Sequence, residues 1–74
     1  MQIEVKLFAT FRKGRWKSKV LDLDDGVSIE EVLKLLDIET GSLGIAMING
    51  SHSSVDTLLE ENDTLALFPP SGGG

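Results

Sequence analysis

Ser28-Ile29-Glu30-Glu31, with the apolar stripe that follows it, commits the middle of this 74-residue chain to one amphipathic helix. Ser28 is a helix N-cap with Glu31 three residues on, the spacing of a capping box. Val27 and Val32 stand where a hydrophobic staple closes the same turn. Ile29, Val32, Leu33 and Leu36 follow at i, i+3, i+4 and i+7 and share one face. Residues 37–44 have no period, and Gly41 and Gly44 mark a loop, so the helix is predicted to end near Leu36 or Asp37. A helix with one apolar stripe has to lay it on another layer.

That layer is a sheet. Residues 2–9 alternate, with Ile3, Val5 and Leu7 on one face and Gln2, Glu4 and Lys6 on the other. Residues 11–17 are polar around Gly14 and read as a hairpin loop. Residues 19–24 resume the alternation, with Leu21 and Leu23 inward and Asp22 outward, as the antiparallel partner of the first strand. Ile45-Ala46-Met47-Ile48 is a short strand ended by the Asn49-Gly50 turn. Residues 55–59 are ambiguous, residues 60–63 form an acidic turn, and residues 64–68 form a last strand. The order β-β-α-β-β describes a two-layer α+β roll with a mixed sheet of four or five strands and one main helix on one face. By analogy of topology, the last strand pairs parallel with the first in the middle of the sheet.

Composition narrows the function classes. There is no cysteine, hence no disulfide, thiolate metal site or cysteine nucleophile. A net charge of −5 argues against a nucleic-acid partner. No apolar stretch spans a membrane, and Met1-Gln2-Ile3-Glu4 lacks the layout of a signal peptide, so a cytoplasmic location is expected. Of the seven Lys and Arg residues, six lie within residues 6–19 and Lys34 is the seventh. That segregation reads either as a basic side that orients a partner or as a solvated turn around Arg12-Lys13-Gly14-Arg15. His52 is the only histidine, so no multi-histidine metal site is expected; no metal ligands are assigned. Glu30-Glu31 and Glu60-Glu61 read as helix-start and turn residues, not as a catalytic pair. No P-loop, HExxH, GxGxxG or Ser/His/Asp set is present.

The chain ends Phe68-Pro69-Pro70-Ser71-Gly72-Gly73-Gly74. Each proline fixes its own φ and cannot extend a sheet, and Pro70 biases Pro69 toward an extended conformation. The expected division is a domain over residues 1–68 and a flexible tail over residues 69–74. Glycines 72–74 can thread a passage too narrow for any Cβ. Residues 71–74 span roughly 13 Å when extended, enough to carry a carboxylate into another protein's cavity. Terminal glycines also read as a linker remnant or plain disorder, but the strand and diproline directly before them favour the first reading.

At this point the chain resembles the ubiquitin-like β-grasp sulfur carriers (MoaD/ThiS-like), and most of all the small subunit of molybdopterin synthase. The resemblance rests on Leu7-Phe8-Ala9 with Arg12 after the first strand, on Asn49-Gly50, and on residues 61–70 followed by glycines. It covers the whole chain, and the diproline before Gly73-Gly74 is its specific part. Gly72 is a third glycine where the family usually has two. The compact first hairpin is like that of the thiamine-pathway carriers, which usually lack the two prolines.

The resemblance implies that the reactive group is the Gly74 α-carboxylate, with Gly73 beside it and Pro69, Pro70, Ser71 and Gly72 giving it access. An E1-like adenylating enzyme would activate it with ATP, and a persulfide-bearing sulfur donor would convert it to a thiocarboxylate. That thiocarboxylate would serve the large subunit of molybdopterin synthase. The chain itself binds no cofactor in this reading and acts as a cosubstrate rather than a catalyst. A docking face is expected beside the tail: with Leu65, Leu67 and Ile48 inward, Phe68, Ala66 and Met47 face the open side of the sheet. The other reading of Phe68 has it packed over the edge of its own core. Three alternatives to the molybdopterin role stand: a carrier for thiamine or another sulfur metabolite, a protein modifier joined to lysines through Gly74, and an interaction module with an inert tail.

Overall fold

The computed structural model describes residues 1–70. Five strands form one mixed sheet: β1 (Gln2–Leu7), β2 (Ser18–Asp22), β3 (Ile45–Ile48), β4 (Ser51–His52) and β5 (Thr64–Phe68), in the order β2-β1-β5-β3-β4. The helix α1 (Ile29–Leu35) covers one face. This is the α+β roll expected from the sequence, a ubiquitin-like β-grasp. β5 lies between β1, to which it is parallel, and β3, to which it is antiparallel. The last strand of the chain is therefore the middle strand of the sheet, held on both edges.

The inner face follows the alternation. Ile3, Val5 and Leu7 of β1 and Leu65 and Leu67 of β5 are fully buried with Ile29, Val32 and Leu33 of α1. The Ser28 hydroxyl accepts from the Glu31 N–H at 3.3 Å, as an N-cap should. The return half of the capping box differs: the Ser28 hydroxyl also lies 3.4 Å from the Glu31 carboxylate, to which it donates. Both staple residues, Val27 and Val32, are in the core.

The ambiguous residues 55–59 are neither helix nor strand. They cross the start of α1, where the Ile29 and Glu30 N–H groups donate to the Thr57 and Val55 carbonyls. The segment thereby takes up donors that every helix start leaves open, and Leu59 closes the core beneath it.

The loop of residues 11–17 is a correction. It is not simply polar, because the chain turns at Ala9, whose φ is +50°, into a 3₁₀ turn over Ala9–Arg12. That turn carries Phe11 back into the core, and Trp16 packs partly against it. Arg15 is tied down as well: its guanidinium donates to the Leu36, Asp37 and Phe11 carbonyls at 3.1, 3.3 and 3.2 Å. A cation there meets the unpaired carbonyls and the negative end of α1.

Candidate docking face and tail outlet

The pairing register decides which side chains share the bare face. Leu67 lies opposite Ala46, and Leu65 opposite Ile48, on the helix side. Ala66 lies opposite Met47, and Phe68 opposite Ile45, on the open side. The three residues expected at the docking face, Met47, Ala66 and Phe68, are all half-buried there. His52 lies opposite Met47 at the sheet edge. Among the described residues, no group of three or more His, Asp or Glu side chains is placed to hold a metal ion. No helix among them is long and apolar enough to cross a membrane.

Phe68 does not fold over the edge of the core. Its ring stacks on Phe8 with centroids 4.2 Å apart and planes 11° from parallel. The Phe8 N–H donates to the Leu67 carbonyl at 3.2 Å, which carries the β1–β5 ladder one residue beyond β1 and sets the two rings side by side. The Arg12 guanidinium stands over the other partner of the stack, 5.2 Å from the Phe8 centroid, a cation–π contact. Its Nε donates to the Leu7 carbonyl at 2.7 Å, which holds the arginine in place. Lys6, Phe8, Arg12, Lys17 and Ser18 line one shallow concavity beside the stack. The Arg12-Lys13-Gly14-Arg15 cluster is thus divided by the fold: Arg12 belongs to the open face and Arg15 to the helix end.

Two residues here were not singled out in the sequence. Ile45 is 42% exposed on the open face, opposite Phe68. Its signal was its spacing of two from Met47, hidden because the run 45–48 is apolar throughout. Phe8 was noticed only within a motif. Nothing local marks it as the base for Phe68, because the contact depends on the parallel pairing of β1 with β5.

At the end of β5 the chain leaves the sheet. The Phe68 carbonyl accepts from the Gly44 N–H at 2.8 Å, the last rung before the prolines. Pro69 is half-buried and Pro70 exposed. Ser71, Gly72, Gly73 and Gly74, the positions to which the sequence reading assigns the tail chemistry, lie outside the described residues.

The ThiS family model matches residues 5–74. The chain belongs to the ThiS family. It is 30% identical to small archaeal modifier protein 3 of Haloferax volcanii, with all of both chains covered. It also superposes on the solution structure of Haloferax volcanii HVO 2177 with a TM-score of 0.80 and 30% identity, covering all of this chain and 87% of that one. A third likeness is to a chain of the protein–protein complex of subunits 1 and 2 of molybdopterin-converting factor from Helicobacter pylori. There the TM-score is 0.67 and the identity 21%, with both chains fully covered, which shows the shared fold alone. The ThiS-family chain described here is therefore a ubiquitin-like protein of the sulfur-carrier and small-modifier kind.

Proposed function

We propose that this protein is a sulfur carrier for molybdopterin synthesis, activated at the α-carboxylate of Gly74. The observation that carries the reading is the outlet. The central strand β5 runs directly into Pro69 and Pro70, beside the apolar patch of Met47, Ala66 and Phe68 on the open face, so the tail starts from a rigid base next to a surface on which a partner can sit.

The chemistry follows from the reactant. A carboxylate is a poor electrophile because its charge is delocalised and oxide is a poor leaving group. Its oxygen attacks the α-phosphorus of ATP in an activating partner, and pyrophosphate leaves. Hydrosulfide then displaces AMP from the acyl-adenylate to give the thiocarboxylate. A persulfide donor would first form an acyl disulfide, which a second thiol cleaves to the same product. The carrier's share of the reaction is to place the acyl carbon, which is a matter of proximity and orientation. Phe68, Ala66 and Met47, joined by Phe8 and Ile45, form the proposed docking face for the adenylating enzyme and for a synthase large subunit.

The test is an intact-mass spectrum of the protein after incubation with ATP, a sulfur donor and an activating enzyme of the carrier family. A gain equal to exchange of one oxygen for sulfur, mapped to Gly74, is expected. The same spectrum reads where the mature chain ends. Deleting Gly73 and Gly74 should abolish the gain. No gain, from an enzyme active on its own carrier, overturns the reading.

The full-length identity to a small archaeal modifier favours a second reading, in which the same adenylate is captured by lysine amines of other proteins. Gly74-linked conjugates in cell extracts would show it; a thiocarboxylate without conjugates leaves the carrier reading alone.

A further inference from the structure

Gly44 read in the sequence only as a loop marker, and its backbone does not explain it. Among the described glycines with positive φ are Gly14, Gly26 and Gly50, but not Gly44. What it lacks is room. A Cβ at Gly44 would stand 2.6 Å from the Pro69 carbonyl oxygen, 2.7 Å from the Pro69 carbonyl carbon and 2.7 Å from the Pro70 Cα. All three are backbone atoms; the Pro69 ring fixes its φ and the following Pro70 holds its ψ extended, so they cannot swing aside as a flexible side chain would. Gly41, in the same loop, has nothing within 4 Å of where a Cβ would stand. The obstacle at position 44 is the outgoing chain itself. The same residue also holds that chain, through the bond from its N–H to the Phe68 carbonyl.

We propose that Gly44 is a positioning residue of the outlet: the space left by its absent side chain is the channel through which Pro69 and Pro70 leave the sheet. Gly44 therefore sets the direction of the tail relative to the docking face. The hydrogen bond fixes the root of the tail, and the backbone-to-backbone contact, available only to glycine, fixes the slope of the first two residues beyond it. Pro69 and Pro70 are stiff, so the slope set at Gly44 is carried through both of them. The part played in catalysis rests on the carrier reading above; the steric coupling of position 44 to positions 69 and 70 does not.

The experiment uses the full chain, Gly44→Ala, the control Gly41→Ala, and Gly44→Ala in a background with Pro69→Gly and Pro70→Gly. ATP–pyrophosphate exchange with the activating enzyme gives kcat and KM for each, and urea unfolding and backbone amide shifts are recorded alongside. Gly41→Ala should match the native chain. Gly44→Ala should keep its fold and keep KM within about threefold, because the docking face is intact, whereas kcat falls by at least about tenfold, because the reacting carbon is misplaced. Its amide shifts should concentrate at residues 44 and 68, and the perturbation should shrink when both prolines are replaced.

A native kcat for Gly44→Ala overturns the inference, as does a raised KM with kcat unchanged. If Gly44→Ala does not fold, recovery of folding in the diproline-free background supports the inference, and failure to recover overturns it. A native chain that is not activated at all defeats the carrier reading instead, and the steric coupling is then decided by the amide shifts and the unfolding comparison.

Discussion

The two faces of β5 have opposite surroundings. On one side Leu65 and Leu67 are fully buried beneath α1. On the other, Ala66 and Phe68 are half-buried on the side of the sheet away from α1. Both faces belong to the same five residues, Thr64–Phe68. A strand has a side-chain period of two, so a single strand can hold a core with one set of residues and present a surface with the other. Placing that strand in the middle of the sheet, paired on one edge with β1 and on the other with β3, roots both faces and the start of the outlet.

The comparison breaks most visibly at Leu67. Leu67→Ala leaves a cavity in a fully buried site and should cost about 3 kcal/mol. A urea titration reads this as a fall in the unfolding midpoint at unchanged slope; a loss below about 1 kcal/mol would mean that the inner face is not the supporting one.

One residue further on, and so on the other face, Phe68→Asp should do the opposite. It removes the stack on Phe8 and puts a charge on the open face, yet the fold should survive with a loss of about 1 kcal/mol. Binding to the activating enzyme should weaken at least tenfold, or about 1.4 kcal/mol. Unchanged affinity in a calorimetric titration removes Phe68 from the docking face.

The smallest effect separates the two arginines of the first loop. Arg15→Ala frees the carbonyls of Leu36 and Asp37 and should lower stability by about 1 kcal/mol, with enzyme affinity unchanged. A fall in affinity would place Arg15, and not only Arg12, at the partner's surface.

How far the fold was legible depends on how far apart in the chain the deciding groups lie. The alternation in β1 and β5, the Ser28 cap and the Asn49-Gly50 turn act over a few residues, and each was readable. The parity of β3 and β5 even assigned Met47, Ala66 and Phe68 to the open face, since one choice of inward residues fixes all the rest. Phe11 was misread because Ala9 adopts a left-handed conformation that nothing in its type requires. Residues 55–59 stayed ambiguous because their structure is a set of bonds to the start of α1, not a pattern of their own.

By itself, then, the sequence determined β1, β2, β3, β5 and α1, the faces that β1, β3 and β5 turn inward, and the presence of a stiff outlet followed by glycine, but not the short β4 at Ser51–His52. These rest on local sterics, capping and side-chain alternation, which act between near neighbours. Only the tertiary structure decided that Phe8 lies under Phe68, that Arg15 closes the end of α1 and that Gly44 stands against Pro69 and Pro70. Each of those is a contact between segments far apart in the chain: the first and last are created when β5 enters between β1 and β3, the second when the first loop meets the end of α1, and no local rule can weigh a contact before its partner arrives.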